Sequence, residues 1–272
     1  PEIRQYLIEG DQEEQPFSRE QRSLVYQRAK GAEDKRPFGS HERVYEAGYS
    51  WLTHSVQPTH FDNTDFRLTV GGKNCTKPYD ASLYNISAMS FGALSANAIA
   101  ALNRGAKLGG FAHDTGEGGI SRYHRQEGGD LIYEVGSGYF GCRNHDGTFN
   151  ADKFKEQASD DQVKMIEIKL SQGAKPGHGG MLMAPKVTPE IAATRGVPEY
   201  RDVISPARHS AFSTPNELLA FAAKLRELSG GKPVGIKLCI GHPWEIMAIV
   251  KAMIESSVML DFITVDGAEG GT

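Results

Sequence analysis

The chain has 272 residues, enough for one barrel or two medium-sized domains built around a sizeable core. Its formal net charge of −4, made up of both signs, gives no reason to expect nucleic acid or an anionic membrane as a partner. Hydrophobic residues make up 39% of the chain, and no run approaches the ~20 apolar residues of a membrane span.

Cysteine usage and the start of the chain bear on the compartment. Cys75, Cys142 and Cys239 are odd in number, far apart and in no CxxC spacing, so neither a disulfide framework nor a zinc site is predicted. A reducing, cytoplasmic compartment fits this pattern. No signal peptide opens the chain, which begins with Pro1 and not with methionine, so we expect a fragment of a longer protein.

Residues 1–80 are predicted to form an N-terminal, mostly helical extension, and residues 81–272 the main domain. In the extension, Ser18 precedes the run Arg-Glu-Gln-Arg-Ser-Leu-Val-Tyr-Gln-Arg, which is typical of an N-capped helix. Residues 67–70, followed by Gly71-Gly72, indicate a short strand and a turn.

From about residue 80 the pattern changes to alternating strands and helices, which is typical of an α/β protein with parallel strands. The predicted strands are residues 83–90, 110–115, 131–136, 163–170, 234–240 and 262–266. The predicted helices are residues 95–108, 189–195, 215–228 and 243–257. Ser95 is the predicted N-cap of the first helix, and Ser213 or Thr214 that of the third, which Gly230-Gly231 would end.

Six strands with intervening helices leave two architectures, a doubly wound sheet and a (β/α)8 barrel. No GxGxxG motif follows a first strand, so nothing favours a Rossmann domain. Polar residues lie within the strands, mostly near their C-terminal ends, and a barrel directs such residues to a shared mouth. They are Asn85, Ser87, Glu167, Lys169, Lys237, Thr264 and Asp266. The sequence therefore predicts a (β/α)8 TIM barrel, truncated after about the sixth strand.

The strand at residues 163–170 is the strongest site signal. Its apolar residues alternate with a face that carries Glu167 and Lys169, and Gln172, Lys175 and a Gly-rich bend follow directly. Charges inside an apolar run are costly to bury unless they are needed there. We therefore interpret this strand end as part of an active site, and an edge strand with a solvated face stays as the alternative.

Six different motifs occur along the main domain. They are Ser87-Ala-Met-Ser-Phe-Gly-Ala-Leu-Ser95, Thr115-Gly-Glu-Gly-Gly119, Gly136-Ser-Gly-Tyr-Phe-Gly141, Ile168-Lys-Leu-Ser-Gln-Gly-Ala-Lys-Pro-Gly177, Val234-Gly-Ile-Lys-Leu238 and Asp266-Gly-Ala-Glu-Gly-Gly-Thr272. Together and in this order, they resemble the FMN-binding, glutamate-forming domain of the glutamate synthase family. The N-terminal region resembles that of short, stand-alone members without a glutaminase domain. The resemblance implies a (β/α)8 barrel that holds FMN across its C-terminal mouth.

The resemblance also implies cofactor contacts. Reduction places negative charge near N1 and O2 of the flavin, and Lys237 is the cation expected to stabilise it there. The alternative is a salt-bridged barrel lysine. Ser137 is expected at the polar rim or the ribityl chain. The other cofactor contacts implied are Ala88, Met89 and Ser90 along the ring, and Thr115, Asp266, Gly267, Gly270 and Gly271.

For the substrate, the resemblance implies 2-iminoglutarate, formed from 2-oxoglutarate and ammonia and reduced to L-glutamate by hydride from FMN. A dicarboxylate needs cations at two separated points. Lys169 and Lys175 are assigned to the keto-acid end with Gln172 beside them, and Arg195 to the distal carboxylate. For Arg195, a partner of the helix dipole is the alternative. Glu117 is assigned a catalytic role in proton relay or flavin sensing, with helix capping as the alternative.

The remaining expectations concern metals and partners. His113, His124 and His178 show no metal-ligand spacing, so no metal site is predicted. An iron–sulfur cluster is left open, because its cysteines would lie further along the chain. Electrons are expected from a partner subunit or domain, and ammonia from a separate source such as an amidotransferase.

Two further expectations follow from the family's phosphate-binding loops, which come mainly from the last two strands. The isolated 272 residues are expected to bind FMN poorly or not at all and to be inactive.

Two other functions stay open. One is an FMN barrel oxidoreductase that acts on a different 2-oxo, 2-hydroxy or N-substituted amino acid, and the other is a non-catalytic barrel subunit.

Overall fold

The computed structural model describes residues 19–32, 43–51, 53–60, 62 and 66–267. The chain divides into two compact units, Pro1–His60 and Phe61–Thr272. In the first unit, helix α1 spans Arg19–Ala29 and agrees with the helix predicted after Ser18, a residue that lies outside the described part. The predicted domain boundary near residue 80 stays a prediction; the division between the compact units falls after residue 60.

The second unit is built on a parallel sheet that is curled into a half-barrel. The described strands are β1 (Arg67–Val70), β2 (Tyr79–Ser82), β3 (His113–Asp114), β4 (Leu131–Val135), β5 (Val163–Lys169), β6 (Met181–Leu182), β7 (Val203–Ile204), β8 (Val234–Leu238) and β9 (Ile263–Val265). The half-barrel has the order β3-β4-β5-β8-β9, and every neighbouring pair is parallel. Strands β1 and β2 form one antiparallel pair, and β6 and β7 form another. This topology confirms an α/β fold with a parallel sheet in chain order.

Helices cover the convex side of this sheet. After α1, the described helices are α2 (Ala96–Gly109), α3 (Arg122–Arg125), α4 (Ala151–Ala158), α5 (Pro189–Arg195), α6 (Pro215–Leu228) and α7 (Pro243–Ser256). Ser95 caps α2 as predicted, because its hydroxyl accepts a hydrogen bond from the Ala98 amide. Thr214 caps α6 and forms a capping box with Glu217. None of the described helices combines the length and the apolar character that a bilayer crossing requires.

The predicted strand at residues 83–90 is shorter in the structure, where it is a single parallel bridge between Ile86 and His113. The segment still runs beside β3, since the Ile86 amide donates to the Ala112 carbonyl and the Met89 amide to the Asp114 carbonyl. The chain then turns at Ser90, whose carbonyl accepts from the Leu94 amide. This turn ends the pairing and leaves residues 87–90 as a loop over the concave side of the sheet.

Along the strands, residues alternate between an apolar face of the sheet, which packs on helices, and the opposite face, which carries the charged residues. The outward residues of the strands are apolar and pack on α4, α6 and α7 in one core. Typical members are Tyr133 and Ile166 from the sheet and Leu225 from α6, all of which are fully buried. The inward residues are therefore free to serve a site on the concave side.

The hairpin of β1 and β2 packs on the inward residues near the N-terminal end of the sheet. Tyr79 and Ala81 form a second apolar cluster with Ile132 and Met165 from β4 and β5. Beyond these two residues, the inward positions of both strands are Glu134 and Glu167, which pair in register. The concave side is thus apolar at the end closed by the hairpin and charged nearer the carboxyl ends of the strands.

A pH-dependent contribution to stability is expected from His113. It is fully buried, neither ring nitrogen has a hydrogen-bond partner among the described residues, and burial lowers its pKa to about 4. The unfolded chain binds the proton near pH 6.5, so this contribution is complete above that pH and is lost as the pH falls towards 4. His113→Leu should reduce the pH dependence of unfolding in this window by up to about 1.4 kcal/mol per pH unit.

Urea unfolding of wild type and variant at pH 7 and pH 5 checks this expectation. Comparison of the two proteins is needed because buried acids with raised pKa values, Asp114 and Glu134, act in the opposite direction. Equal changes of stability with pH in both proteins would show that His113 takes up no proton on unfolding.

Candidate active site

The concave side of the half-barrel opens into a cavity of about 750 Å³. This volume is within the range of about 300–1,000 Å³ that is usual for ligand and cofactor sites. All the polar strand residues predicted to share one mouth line this cavity, which confirms that prediction. They are Asn85, Ser87, Glu167, Lys169, Lys237, Thr264 and Asp266.

Two lysines and a buried carboxylate form the centre of the cavity wall. Lys169 on β5 and Lys237 on β8 are register partners, so their side chains leave neighbouring strands in the same direction. The ammonium of Lys237 donates to Glu134 Oε2 at 3.1 Å, and that of Lys169 lies 4.0 Å from Glu134 Oε1. Lys237 is therefore both a cavity residue and a salt-bridged barrel lysine, so the two interpretations of its sequence position are compatible.

Further carboxylates surround this pair. One oxygen each of Asp114, Glu134 and Glu167 lies within 4.8 Å of the others, and all three residues are buried. Thr264 donates to Glu167 Oε2 at 2.6 Å, and the Gly116 amide donates to Asp114 Oδ1 at 2.8 Å. Such spacing would suit a cation, but the Lys237 ammonium already neutralises Glu134, so we assign no metal to these carboxylates.

Burial and mutual repulsion shift the protonation of this cluster. Burial raises the pKa of Asp114 well above its usual range, and the charges of Glu167 and Glu134 add to that effect. Burial also raises the pKa of Glu134 to about 7, against the opposing effect of Lys237 and Lys169. Burial by itself would lower the pKa of Lys237, but Glu134, Asp114 and Glu167 outweigh it and the pKa is raised. Both lysines thus face Glu134, a carboxyl group that is protonated more readily than an exposed glutamate.

Glu117 and Gln172 lie at the mouth of the cavity. The carboxylate of Glu117 accepts a hydrogen bond from Lys169 at 3.1 Å. A side chain at Gly180 would clash with this carboxylate, and a Cβ at Gly136 would lie 2.9 Å from the Glu117 Cβ. The two glycines leave Glu117 the room to reach Lys169, so two residues that the sequence assigns to the site, Glu117 and Lys169, are in direct contact.

Two buried histidines that sequence reasoning did not assign to the site hold its backbone. His124 Nε2 bonds to the Met89 carbonyl at 2.9 Å, and His209 Nε2 bonds to the Lys169 carbonyl at 2.8 Å. Burial lowers the pKa of both rings to about 4, so they are neutral at pH 7 and each donates its Nε2–H. Tyr139 orients His209 by a contact of 3.1 Å to Nδ1. No local pattern in the sequence marks His209 as a site residue, because only tertiary structure brings it to β5.

The predicted cofactor contacts divide into three groups. Ala88, Met89 and Ser90 line the cavity, as predicted for the loop along the ring. Thr115 is buried beside it and accepts from the Glu134 amide at 3.1 Å. Ser137 donates to the Pro206 carbonyl and lines a smaller cavity next to Glu117 and Lys169. Gly267 is exposed and does not line the main cavity, while Gly270 and Gly271 are outside the described residues.

The two predicted substrate cations lie off the cavity lining. Lys175 is half-buried in the loop after β5. Arg195 is buried at the end of α5, donates to the Phe91 carbonyl at 3.2 Å and lies over the Phe140 ring at 5.1 Å. A Cβ at Gly118 would be 3.0 Å from the Arg195 guanidinium, so this residue supports the Gly-rich loop next to Glu117. Binding of a distal carboxylate by Arg195 stays a prediction.

Comparison with known proteins assigns the chain to a family. A sequence model described as a conserved region in glutamate synthase matches residues 52–272. The chain belongs to the glutamate synthase family. A glutamate synthase large subunit-like protein, YerD, from Bacillus subtilis is 37% identical over 312 aligned positions, which cover 100% of this chain and 59% of that protein. An archaeal-type glutamate synthase [NADPH] from Thermotoga neapolitana is 35% identical over 187 residues, 68% of this chain and 34% of the enzyme.

A glutamate synthase large subunit-like protein from Rhizobium meliloti is 32% identical over 214 residues, which cover 78% of this chain and 44% of that protein. The chain therefore spans between about a third and three fifths of the relatives named. The family resemblance read from the six motifs is confirmed, and the α/β half-barrel fits a TIM barrel. At the family level this is a glutamate synthase-type oxidoreductase.

The cavity of this glutamate synthase family member fits a flavin. Its lining is apolar beside Ile132 and Met165 and charged beside Lys237, which matches a ring with one apolar and one polar edge. Glu134 Oε1 and Glu167 Oε1 are buried without a hydrogen-bond partner among the described residues, so the charged part offers acceptors to a ligand. These oxygens are the observation that supports the fit.

Proposed function

We propose that the full-length protein is an FMN-dependent oxidoreductase of the glutamate synthase type, which forms L-glutamate from 2-oxoglutarate and ammonia. The observation that carries this proposal is the register pair Lys169 and Lys237, which brings two cations to one wall of the cavity. When bound, FMN would supply the hydride for the imine carbon of 2-iminoglutarate. The residues of this chain would bind and orient the reactants and hold protons.

On the cofactor side, Lys237 is the residue that would stabilise negative charge at the polar edge of the ring. It is well placed for this, because its side chain is only 9% exposed and its ammonium is fixed on Glu134. Residues 88–90 would form the wall along the ring, with Met89 held by His124. Asp266 lines the cavity near the C-terminal end of the sheet, and the Gly-rich run after it would continue the cofactor contacts.

On the substrate side, Lys169 would bind the carboxylate at the keto-acid end, with Gln172 hydrogen-bonding beside it. Glu117 would relay protons for the reactants, because its carboxylate lines the cavity and accepts a hydrogen bond from the Lys169 ammonium at 3.1 Å. Lys175 and Arg195 are proposed as further carboxylate contacts, in line with the motif that contains Lys175 and the position of Arg195 behind the Glu117 loop.

The full-length protein would depend on partners for its electrons and its ammonia. Electrons would arrive from a donor subunit or domain, and ammonia from a separate source. The three cysteines are free, which supports a reducing, cytoplasmic compartment. The other functions, an FMN oxidoreductase for a different amino acid and a non-catalytic subunit, have no observation in their favour.

A visible spectrum of the purified full-length protein tests the cofactor, and turnover tests the reaction. We expect flavin absorption, and oxidation of the chemically reduced protein by 2-oxoglutarate plus ammonia. A colourless protein, or oxidation only by a different 2-oxo acid, would contradict the proposal. Glycine in place of ammonia is the matched control, because it cannot form the same imine.

A further inference from the structure

Glu134 occupies a central place that neither the motifs nor the family match assigns. Its side chain is fully buried on the inward face of β4 and reaches both site lysines, Lys237 at 3.1 Å and Lys169 at 4.0 Å. Thr115 fixes its backbone by accepting the Glu134 amide hydrogen bond at 3.1 Å. The next inward position of this strand is Gly136, which carries no side chain. Glu134 is thus the last inward side chain of β4 before the mouth.

We propose that Glu134 is a positioning residue that controls, by taking up and releasing a proton, how much positive charge Lys237 and Lys169 present to the bound ring and substrate. This inference rests on the proposed function, because it concerns the site where FMN would lie. An ionised Glu134 holds and neutralises the Lys237 ammonium. A protonated Glu134 leaves both lysines with their full charge directed into the cavity.

Both protonation states are accessible at physiological pH. Burial raises the pKa of Glu134 to about 7. The charged groups that face it come from every packed element: Lys237 on β8, Lys169 and Glu167 on β5, Asp114 on β3, and Glu117 from the loop after β3. Burial and the charges of Glu167 and Glu117 favour the protonated form, and the two lysines favour the ionised form, so these opposing effects leave both forms of Glu134 accessible near pH 7.

A purely structural role would need only the shape and hydrogen bond of this side chain. Glutamine supplies both, since its amide oxygen can accept from Lys237 while the side chain keeps its volume. Glu134→Gln therefore removes the charge and little else. If Glu134 acts through its charge, Glu134→Gln changes the redox potential of the bound flavin. If Glu134 acts only through its shape and hydrogen bond, the potential stays the same.

The first experiment measures the midpoint potential of FMN in the full-length protein, wild type and Glu134→Gln. Loss of the negative charge should favour the reduced form at least tenfold, a positive shift of about 30 mV for a two-electron couple. In a Lys237→Met background the same substitution should give a smaller shift, because the charge that Glu134 controls has been removed. An unchanged potential, or equal shifts in both backgrounds, would overturn the proposal.

The second experiment needs no bound cofactor. Infrared spectra of the ligand-free full-length protein should show a buried carboxyl group that titrates near pH 7 and is missing in Glu134→Gln. Glu167→Gln is the matched control: it should retain this signal, displaced to lower pH because a neighbouring negative charge that favours protonated Glu134 has been removed. Persistence of the signal in Glu134→Gln would overturn the assignment.

The two experiments separate the inference from the proposed function. If the full-length protein lacks flavin, the proposed function fails and the infrared titration alone decides the protonation of Glu134. If Glu134→Gln does not fold, the wild-type protein still tests the inference. The midpoint potential of its bound FMN, measured relative to that of free FMN, should become more positive as the pH falls through about 7. A constant difference between bound and free FMN would overturn the inference.

Discussion

Replacement of Lys169 by methionine in the full-length protein is expected to lower kcat/KM for 2-oxoglutarate and ammonia by about 100-fold. A hydrogen bond to a charged group contributes about 1.5–3 kcal/mol, and each ~1.4 kcal/mol is a factor of ten in rate. The Lys169 ammonium lines the cavity, where its side chain is 11% exposed and contacts Glu117. Its loss would remove the proposed substrate contact and leave two acids, Glu117 and Glu134, to repel each other and the proposed substrate.

Steady-state kinetics with a chemically reduced donor measure this effect, and urea unfolding with flavin content checks that the variant is intact. Lys251→Met is the matched control, because Lys251 lies on α7, is exposed and pairs with Glu255 on the same helix. Lys175→Met tests the other predicted substrate lysine, and it should have a smaller effect because Lys175 lies off the cavity lining. Activity of Lys169→Met within threefold of wild type would show that this lysine binds no reactant.

Much of the site was predictable because strand alternation is local. Once residues 163–170 are recognised as a strand, Glu167 and Lys169 must share a face, and the apolar opposite face defines the core side. The helix caps follow the same logic, since Ser95 and Thr214 each precede an apolar periodic run. Those inferences need no knowledge of what packs against the element, and the structure confirms them.

Other features depend on contacts that the sequence does not encode locally. Glu134 lies in the run Leu131-Ile-Tyr-Glu-Val, which has the composition of a strand buried on both faces, and only pairing with β5 places it beside Glu167. His209 lies in a loop with no periodic pattern and reaches Lys169 across 40 residues of sequence. For Arg195, the position at the end of a helix is local, but the direction of the guanidinium towards Phe91 is set by tertiary packing.

Asp261→Asn is expected to lower the free energy of unfolding of the full-length protein by about 3–5 kcal/mol, because it leaves a buried arginine without its counter-charge. Asp261 Oδ2 accepts from Arg226 at 2.7 Å and from the Val234 amide at 2.8 Å. Its other oxygen accepts from the Gly72 amide at 2.7 Å. The side chains of Asp261 and Arg226 are 2% and 6% exposed, so water cannot replace the lost contacts.

The double variant Asp261→Leu with Arg226→Met separates loss of a bond from burial of an unpaired charge. If the unpaired Arg226 causes the loss, the double variant should recover part of the stability, although the Val234 and Gly72 amides still lack their acceptor. Glu255→Gln is the surface control, since its pair with Lys251 is exposed and contributes about 0.5 kcal/mol or less. Urea unfolding midpoints at pH 7 measure the stability of Asp261→Asn, of the double variant and of Glu255→Gln. Through these hydrogen bonds, Asp261 connects α6, the start of β8 and the turn after β1. If the Asp261→Asn protein is as stable as Glu255→Gln, apolar packing alone holds these three elements together.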